Sequence, residues 1–124
     1  VTEDLNIYSL DEMRECFSAE EEAEWVRRRA ESGLKVRVIY TSKNGIYTGF
    51  KSKSERRFVP YGTFPISCDI DIYGNRLSIT TLQGKLITVI IENQEIADTM
   101  RLMFELAWLG ASEFPQSPKT NSKS

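Results

Sequence analysis

Two carboxylates at alternate positions of one candidate strand, Asp69 and Asp71 in Asp69-Ile70-Asp71-Ile72-Tyr73, are the residues in this chain best spaced for chemistry. Side chains two apart on a strand share a face, and two acids so placed can share a metal ion or a substrate. The same alternation of acid and isoleucine also describes any strand with one wet face. The chain has no histidine. Histidine-dependent triads, an imidazole general base and histidine-containing metal sites are therefore excluded. The two cysteines, Cys16 and Cys68, have no metal-ligand spacing, are too few for a disulfide framework, and read as small apolar fillers. No glycine-rich phosphate loop and no nucleophile elbow is present.

A second chemical feature is the segment Thr41–Arg57. It carries five basic residues (Lys43, Lys51, Lys53, Arg56 and Arg57) against the single acid Glu55. A structureless loop of this length inside a compact domain is either mobile or functional, so the segment reads as a solvated surface loop or as an anion-gathering lid.

The elements that must position these groups follow from pattern. Leu5–Tyr8 is a short strand, and Ser9 with Glu12 has the spacing of a capping box that starts a helix at Leu10. A second box, Ser18 with Glu21, opens another helix that runs through Trp25 and Val26 to Gly33. Its acidic start (Glu20, Glu21, Glu22) and basic finish (Arg27, Arg28, Arg29) match the helix dipole. Gly33 is the expected left-handed cap, followed by a strand over Lys35–Tyr40 with Val36, Val38 and Tyr40 on one face. Strand, helix and strand imply a parallel pair with a right-handed crossover.

Arg57–Pro60 reads as a short edge strand because proline cannot donate to a ladder. Asp69–Tyr73, Leu77–Leu82 and Leu86–Ile91 form a meander, turning at Gly74-Asn75 and at Gln83-Gly84. Asn93 is the expected N-cap of a last helix, in which Ile96, Met100, Met103, Phe104 and Ala107 fall at core spacing and Trp108 lies four residues beyond Phe104. The fold class is thus α/β: one domain over residues 1–111 with a mixed sheet flanked by helices, followed by a disordered tail over 112–124 that is poor in apolar residues.

With 124 residues and 40% hydrophobic content the chain holds one core. A net charge of −2 argues against nucleic-acid contact by this chain alone. The longest apolar run, Leu86–Ile91, is too short to cross a bilayer, and the N-terminus lacks the build of a signal peptide, so a cytoplasmic domain is expected.

One family resemblance emerges from these segments. Phe64-Pro65, then Asp69 through Ile79 with the turn Ile72-Tyr73-Gly74-Asn75, then Leu86 through Asn93, Glu95 through Thr99, and Phe104-Glu105-Leu106-Ala107-Trp108 resemble the C-terminal effector domain of TrmB-type transcriptional regulators. Arg27 through Ile39 resembles the helix-to-strand passage that precedes it there. The resemblance implies a domain like one half of a phospholipase D fold. Its implied role is to bind a small effector, such as a sugar or an anionic metabolite, for a winged-helix DNA-binding domain outside this chain.

A homodimer is expected, with no cofactor or metal. Phospholipase D chemistry uses His-x-Lys-x4-Asp, and its histidine and lysine positions fall at about Ile66 and Cys68, so the fold is expected without the enzyme. The family's pocket lies at the strand ends, where Glu92 matches the end of a "VIE" segment; the alternative role for Glu92 is to stabilise the start of the following helix. The start at Val1 leads to the expectation that the chain is part of a longer regulator. Candidate ligand-binding residues are Glu92, Asp71, Tyr73, Arg57 and Asn75, with the basic loop as a lid over them. The rival readings are a dimerisation module without ligand and a phospholipase D-type phosphodiesterase.

The missing histidine makes a prediction. Purified protein is expected to show no turnover of generic phosphodiesters, with or without added metal; turnover above a heat-killed control that Asp71→Ala abolishes would sink the non-enzyme expectation.

Overall fold

The computed structural model describes residues 3–118. In chain order the elements are β1 (Glu3–Ser9), α1 (Leu10–Cys16), α2 (Ala19–Ser32), β2 (Lys35–Thr41), β3 (Glu55–Phe58), β4 (Cys68–Tyr73), β5 (Arg76–Thr81), β6 (Thr88–Glu92) and α3 (Gln94–Ala111). The six strands form one mixed sheet in the order β3-β2-β1-β4-β5-β6. β1 pairs parallel with β2 and β2 parallel with β3, while β1–β4, β4–β5 and β5–β6 are antiparallel. The strand–helix–strand half and the meander half therefore meet at β1.

Local signals set most boundaries. Ser18 and Glu21 form the full reciprocal box, with Ser18 N–H donating to Glu21 Oε1 (2.9 Å) and Glu21 N–H to Ser18 Oγ (3.1 Å). At Ser9 only half of the expected box forms. Ser9 Oγ accepts from Glu12 N–H, but the buried Glu12 carboxylate accepts from Gln83 Nε2 (3.0 Å) in the loop after β5. A tertiary donor has displaced the local one. Gly33 ends α2 at φ 71°, and Gly74 turns the β4–β5 hairpin at φ 62°.

The two faces of the sheet differ in kind. On one, α3 covers an apolar core of Leu5, Ile39, Val59, Ile72, Leu77, Phe104, Trp108 and Ala111. Phe104 and Trp108 stack with ring centroids 5.8 Å apart, and Arg37, donating to Glu3 and Glu105, lies over both rings at 5.3 Å. These two carboxylates, Glu105 foremost, hold the Arg37 guanidinium well above its ordinary pKa. The buried line of α3 is Ala97, Phe104, Trp108 and Ala111. The expectation that Ile96, Met103 and Ala107 are core is corrected: they form an apolar stripe about a quarter-turn round the helix from the line that faces the sheet, and lie on an exposed flank.

On the other face sit α1, α2 and the segment between β2 and β3. Leu10, Val36, Val38, Tyr40 and Phe58 form a second apolar cluster, packed by Ile46, Tyr47 and Phe50 from that segment. α2 buries none of its residues completely and is held by an edge-on Phe17–Trp25 contact at 4.9 Å and its own ion pairs, among them Arg28–Glu24 (3.0 Å) and Arg27–Glu31 (3.1 Å).

The expected structureless tail is corrected for residues 112–118. Phe114 meets Phe64 edge-on at 5.6 Å, and the Gln116 amide donates to the Phe58 carbonyl (2.9 Å) and accepts from its N–H (2.6 Å). That side chain takes the place of a neighbouring strand at Phe58, the last residue of β3. Residues 119–124 lie outside the described residues.

Because Phe104 is 1% exposed at the centre of the α3 core, Phe104→Ala is expected to cost about 3–5 kcal/mol. Urea unfolding measures this, and a midpoint unchanged within error would contradict the packing described.

Candidate functional site

Asp71 is where β1 and β4 bring their polar residues together beneath α2. β4 turns Ile70 and Ile72 toward α3, and Asp69, Asp71 and Tyr73 toward the opposite face; β1 turns Asp4, Asn6 and Tyr8 the same way. Asn6, 3% exposed, donates to Asp69 Oδ1 and to the Ile70 carbonyl, both at 2.7 Å, and accepts from Arg29 of α2 at 3.3 Å. Its amide is thus fully engaged, with one of its bonds holding Asp69.

Asp71 has no such partner. Its Oδ1 and that of Asp4 are buried with no donor facing them. Burial, then hydrogen bonding to Asp4 and its charge, pushes the Asp71 carboxyl up to about 8, with Arg29 opposing and Asp69 adding to the rise. Burial also raises Asp69, against the hydrogen bond from Asn6.

Above this floor the sheet and α2 leave a cleft of about 360 Å³, lined by Asn6, Asp69, Asp71, Ser78 and Thr80 below and by Met13, Phe17, Trp25, Arg28 and Arg29 on the helical side. The cleft exists because the sheet face is polar here. A helix gains little by closing onto carboxylates and hydroxyls, so α2 stands off from it. Chemically, the floor offers hydrogen-bond acceptors and Trp25 and Phe17 offer apolar ring faces, a combination suited to a small ligand with several hydroxyl or amino donors. Among the described residues no group of three or more Asp, Glu, Cys or His side chains is arranged to hold a metal ion.

The candidate residues from sequence do not form one site. Tyr73 and Asn75 line a separate groove of about 380 Å³ at the β4–β5 turn, with Arg76, Gln94 and Arg101. Glu92 lies next to that groove, exposed, with Oε1 3.6 Å from Arg76. The cap of α3 is Asn93, whose side chain accepts from Ile96 N–H at 2.9 Å, so the helix start does not need Glu92. Asp71 faces the α2 cleft.

Arg57 is the residue the structure removes from the group. Its guanidinium donates to the Trp108 carbonyl (2.5 Å) and stacks on the indole at 4.4 Å, so it ties β3 to α3. The lid expectation is corrected on topology: Thr41–Arg57 joins β2 to β3, at the opposite edge of the sheet from β6 and Glu92. It is packed down by Tyr47 and Phe50 against Tyr40, and by Lys43 N–H donating to Asp11 (2.6 Å). The aromatic residues of the segment, not its lysines, are what fix its position. Sequence reasoning missed Asn6, Asp4 and Trp25; the one signal for Asn6 is a polar residue set between Leu5 and Ile7 in a buried strand.

No protein-family model, curated protein or solved structure matches this chain.

The raised Asp71 pKa has a defined sign. The folded protein keeps a proton that the unfolded chain, at 3.8, has released, so this stabilisation is complete below about 4 and is lost as pH rises toward 8. Melting temperature is expected to fall across that window in the native protein and to fall less in Asp71→Asn; equal slopes would show that Asp71 ionises normally.

Proposed function

We propose that this chain is a non-catalytic, small-molecule-sensing domain of a transcriptional regulator, acting for a DNA-binding winged helix outside the chain. The regulator reading, with its phospholipase D-like half fold, rests on the resemblance of Arg27–Ile39 and Phe64–Trp108 to TrmB-type effector domains. The observation that carries ligand binding is the cleft beneath α2, floored by the carboxylates of Asp69 and Asp71, of which Asp71 has a buried oxygen without a donor. In this proposal a ligand hydroxyl or ammonium group donates to these carboxylates, and Trp25 covers the ligand's carbon skeleton. The ligand class is therefore polyhydroxylated or amine-bearing, a molecule rich in hydrogen-bond donors. Occupancy would draw α2 toward the sheet, and α2 is the element free to respond because it has no fully buried residue.

A thermal-shift screen of neutral sugars, amino sugars, sugar phosphates and nucleotides tests this. A binding sugar or amino sugar is expected to stabilise by about 2.7 kcal/mol at a hundredfold excess over its dissociation constant. Asp71→Ala and Trp25→Ala should abolish the shift, whereas Glu92→Ala should retain it. A ligand that binds Asp71→Ala as well as the native protein would place the site elsewhere.

A further inference from the structure

The two edges of the sheet are treated differently. β3 is four residues long, its first three residues are charged, and the backbone of its last residue, Phe58, is bonded by the Gln116 side chain. β6 lacks such protection: it contains no lysine, proline or bulge, and nothing among the described residues lies along its outer side. Soluble proteins ordinarily blunt such an edge.

The polarity of the free edge is fixed by the bonds on its inner side. The Ile87 carbonyl accepts from Thr81 N–H (2.9 Å), and Asn93 N–H donates to the Asn75 carbonyl (2.9 Å). The odd-numbered residues of this segment thus turn their backbone toward β5, and Thr88, Ile90 and Glu92 turn theirs outward. We propose that β6 pairs antiparallel with β6 of a second copy of this chain about a two-fold axis at Ile90, joining two six-stranded sheets into one.

The edge is complementary to itself in that register. Ile90 faces Ile90 of the second copy as a hydrogen-bonded pair, Thr88 faces Glu92 and Glu92 faces Thr88, so every outward N–H and C=O of the three residues is satisfied and no like charges meet. Val89 and Ile91 of the two copies are cross-strand neighbours on the α3 side. An isologous interface of this kind closes at two subunits.

The area is sufficient. Leu86, Ile87, Val89 and Ile90, with Ile96 and Met103 on the flank of α3 that rises from this edge, are each 41–56% exposed. Together they present on the order of 500 Å² of apolar surface. The edge backbone, Thr88 and Glu92 bring the area toward the roughly 800 Å² per partner of a standard-size interface. The same axis sets both α2 clefts on one side of the joined sheet and both α3 helices on the other.

Light scattering after size exclusion, at tens of micromolar chain, is expected to give about twice the 14.2 kDa of one chain. Ile90→Lys, an exposed position at which two ammonium groups would meet on the axis, should give a folded monomer with unchanged circular dichroism. Leu106→Lys, on the outer face of α3 away from the edge, should leave the dimer intact. Under mild oxidation Ile90→Cys should cross-link to a dimer on a denaturing gel, whereas Glu92→Cys, whose two thiols lie at opposite ends of the paired segment, and the native protein should not. A monomeric native protein, a dimer that Leu106→Lys dissolves and Ile90→Lys does not, or cross-linking through Glu92→Cys in place of Ile90→Cys would each overturn the proposal.

Discussion

Everything in this fold hangs on β1, the one strand that is paired in both senses. It bonds to β2 in parallel over its whole length and to β4 antiparallel from Asp4 to Ile7, so it welds a strand–helix–strand unit to a meander that would otherwise be independent. Its alternation then serves two purposes at once. Leu5 and Ile7 go to the α3 core, while Asp4 and Asn6 go to the polar face, where Asn6 fixes Asp69 and Asp4 adds a second carboxylate beside Asp71. A one-residue slip of β1 would exchange those faces, burying carboxylates under Phe104 and opening the core to solvent.

The two sides of the sheet illustrate how composition selects between a core and a cleft. Under α3 the stack of Phe104 and Trp108, capped by Arg37 with its two carboxylates, leaves little room for a ligand. Under α2 the floor carries Asp69, Asp71, Ser78 and Thr80, and the helix above it buries nothing fully. The carboxylates lose hydration without gaining enough donors, which raises their pKa values and leaves an oxygen of Asp71 unpaired. That unmet demand is the physical basis for proposing ligand binding on this side of the molecule, by a ligand that brings hydrogen-bond donors.

The basic loop shows why charge counts mislead when read along the chain. Five cations between Thr41 and Arg57 suggest an anion site, yet they are dispersed in space. Arg56 lies over Phe50 at 4.0 Å, Arg57 lies over Trp108, and Lys43 is 5.3 Å from the Tyr61 ring centroid. Much of the basic character of the segment is spent on aromatic faces that hold neighbouring elements in place.

The sequence by itself determined the elements, most of their caps, the shared face of Asp69 and Asp71, and the burial of Phe104 and Trp108. These depend on periods of two and near four and on contacts within a few residues. It also determined what chemistry is absent, since no histidine exists to supply it. Only the tertiary structure decided what lies across from what. That Asp71 meets Asp4 and an asparagine from 65 positions earlier, that Arg57 belongs to Trp108 rather than to Glu92, and that Glu12 answers to Gln83 rather than to Ser9 all follow from strand order and register. Which edge is left open follows from them too. Strand order is set by the summed packing of two faces, a property of the whole sheet, and no short stretch of sequence carries it.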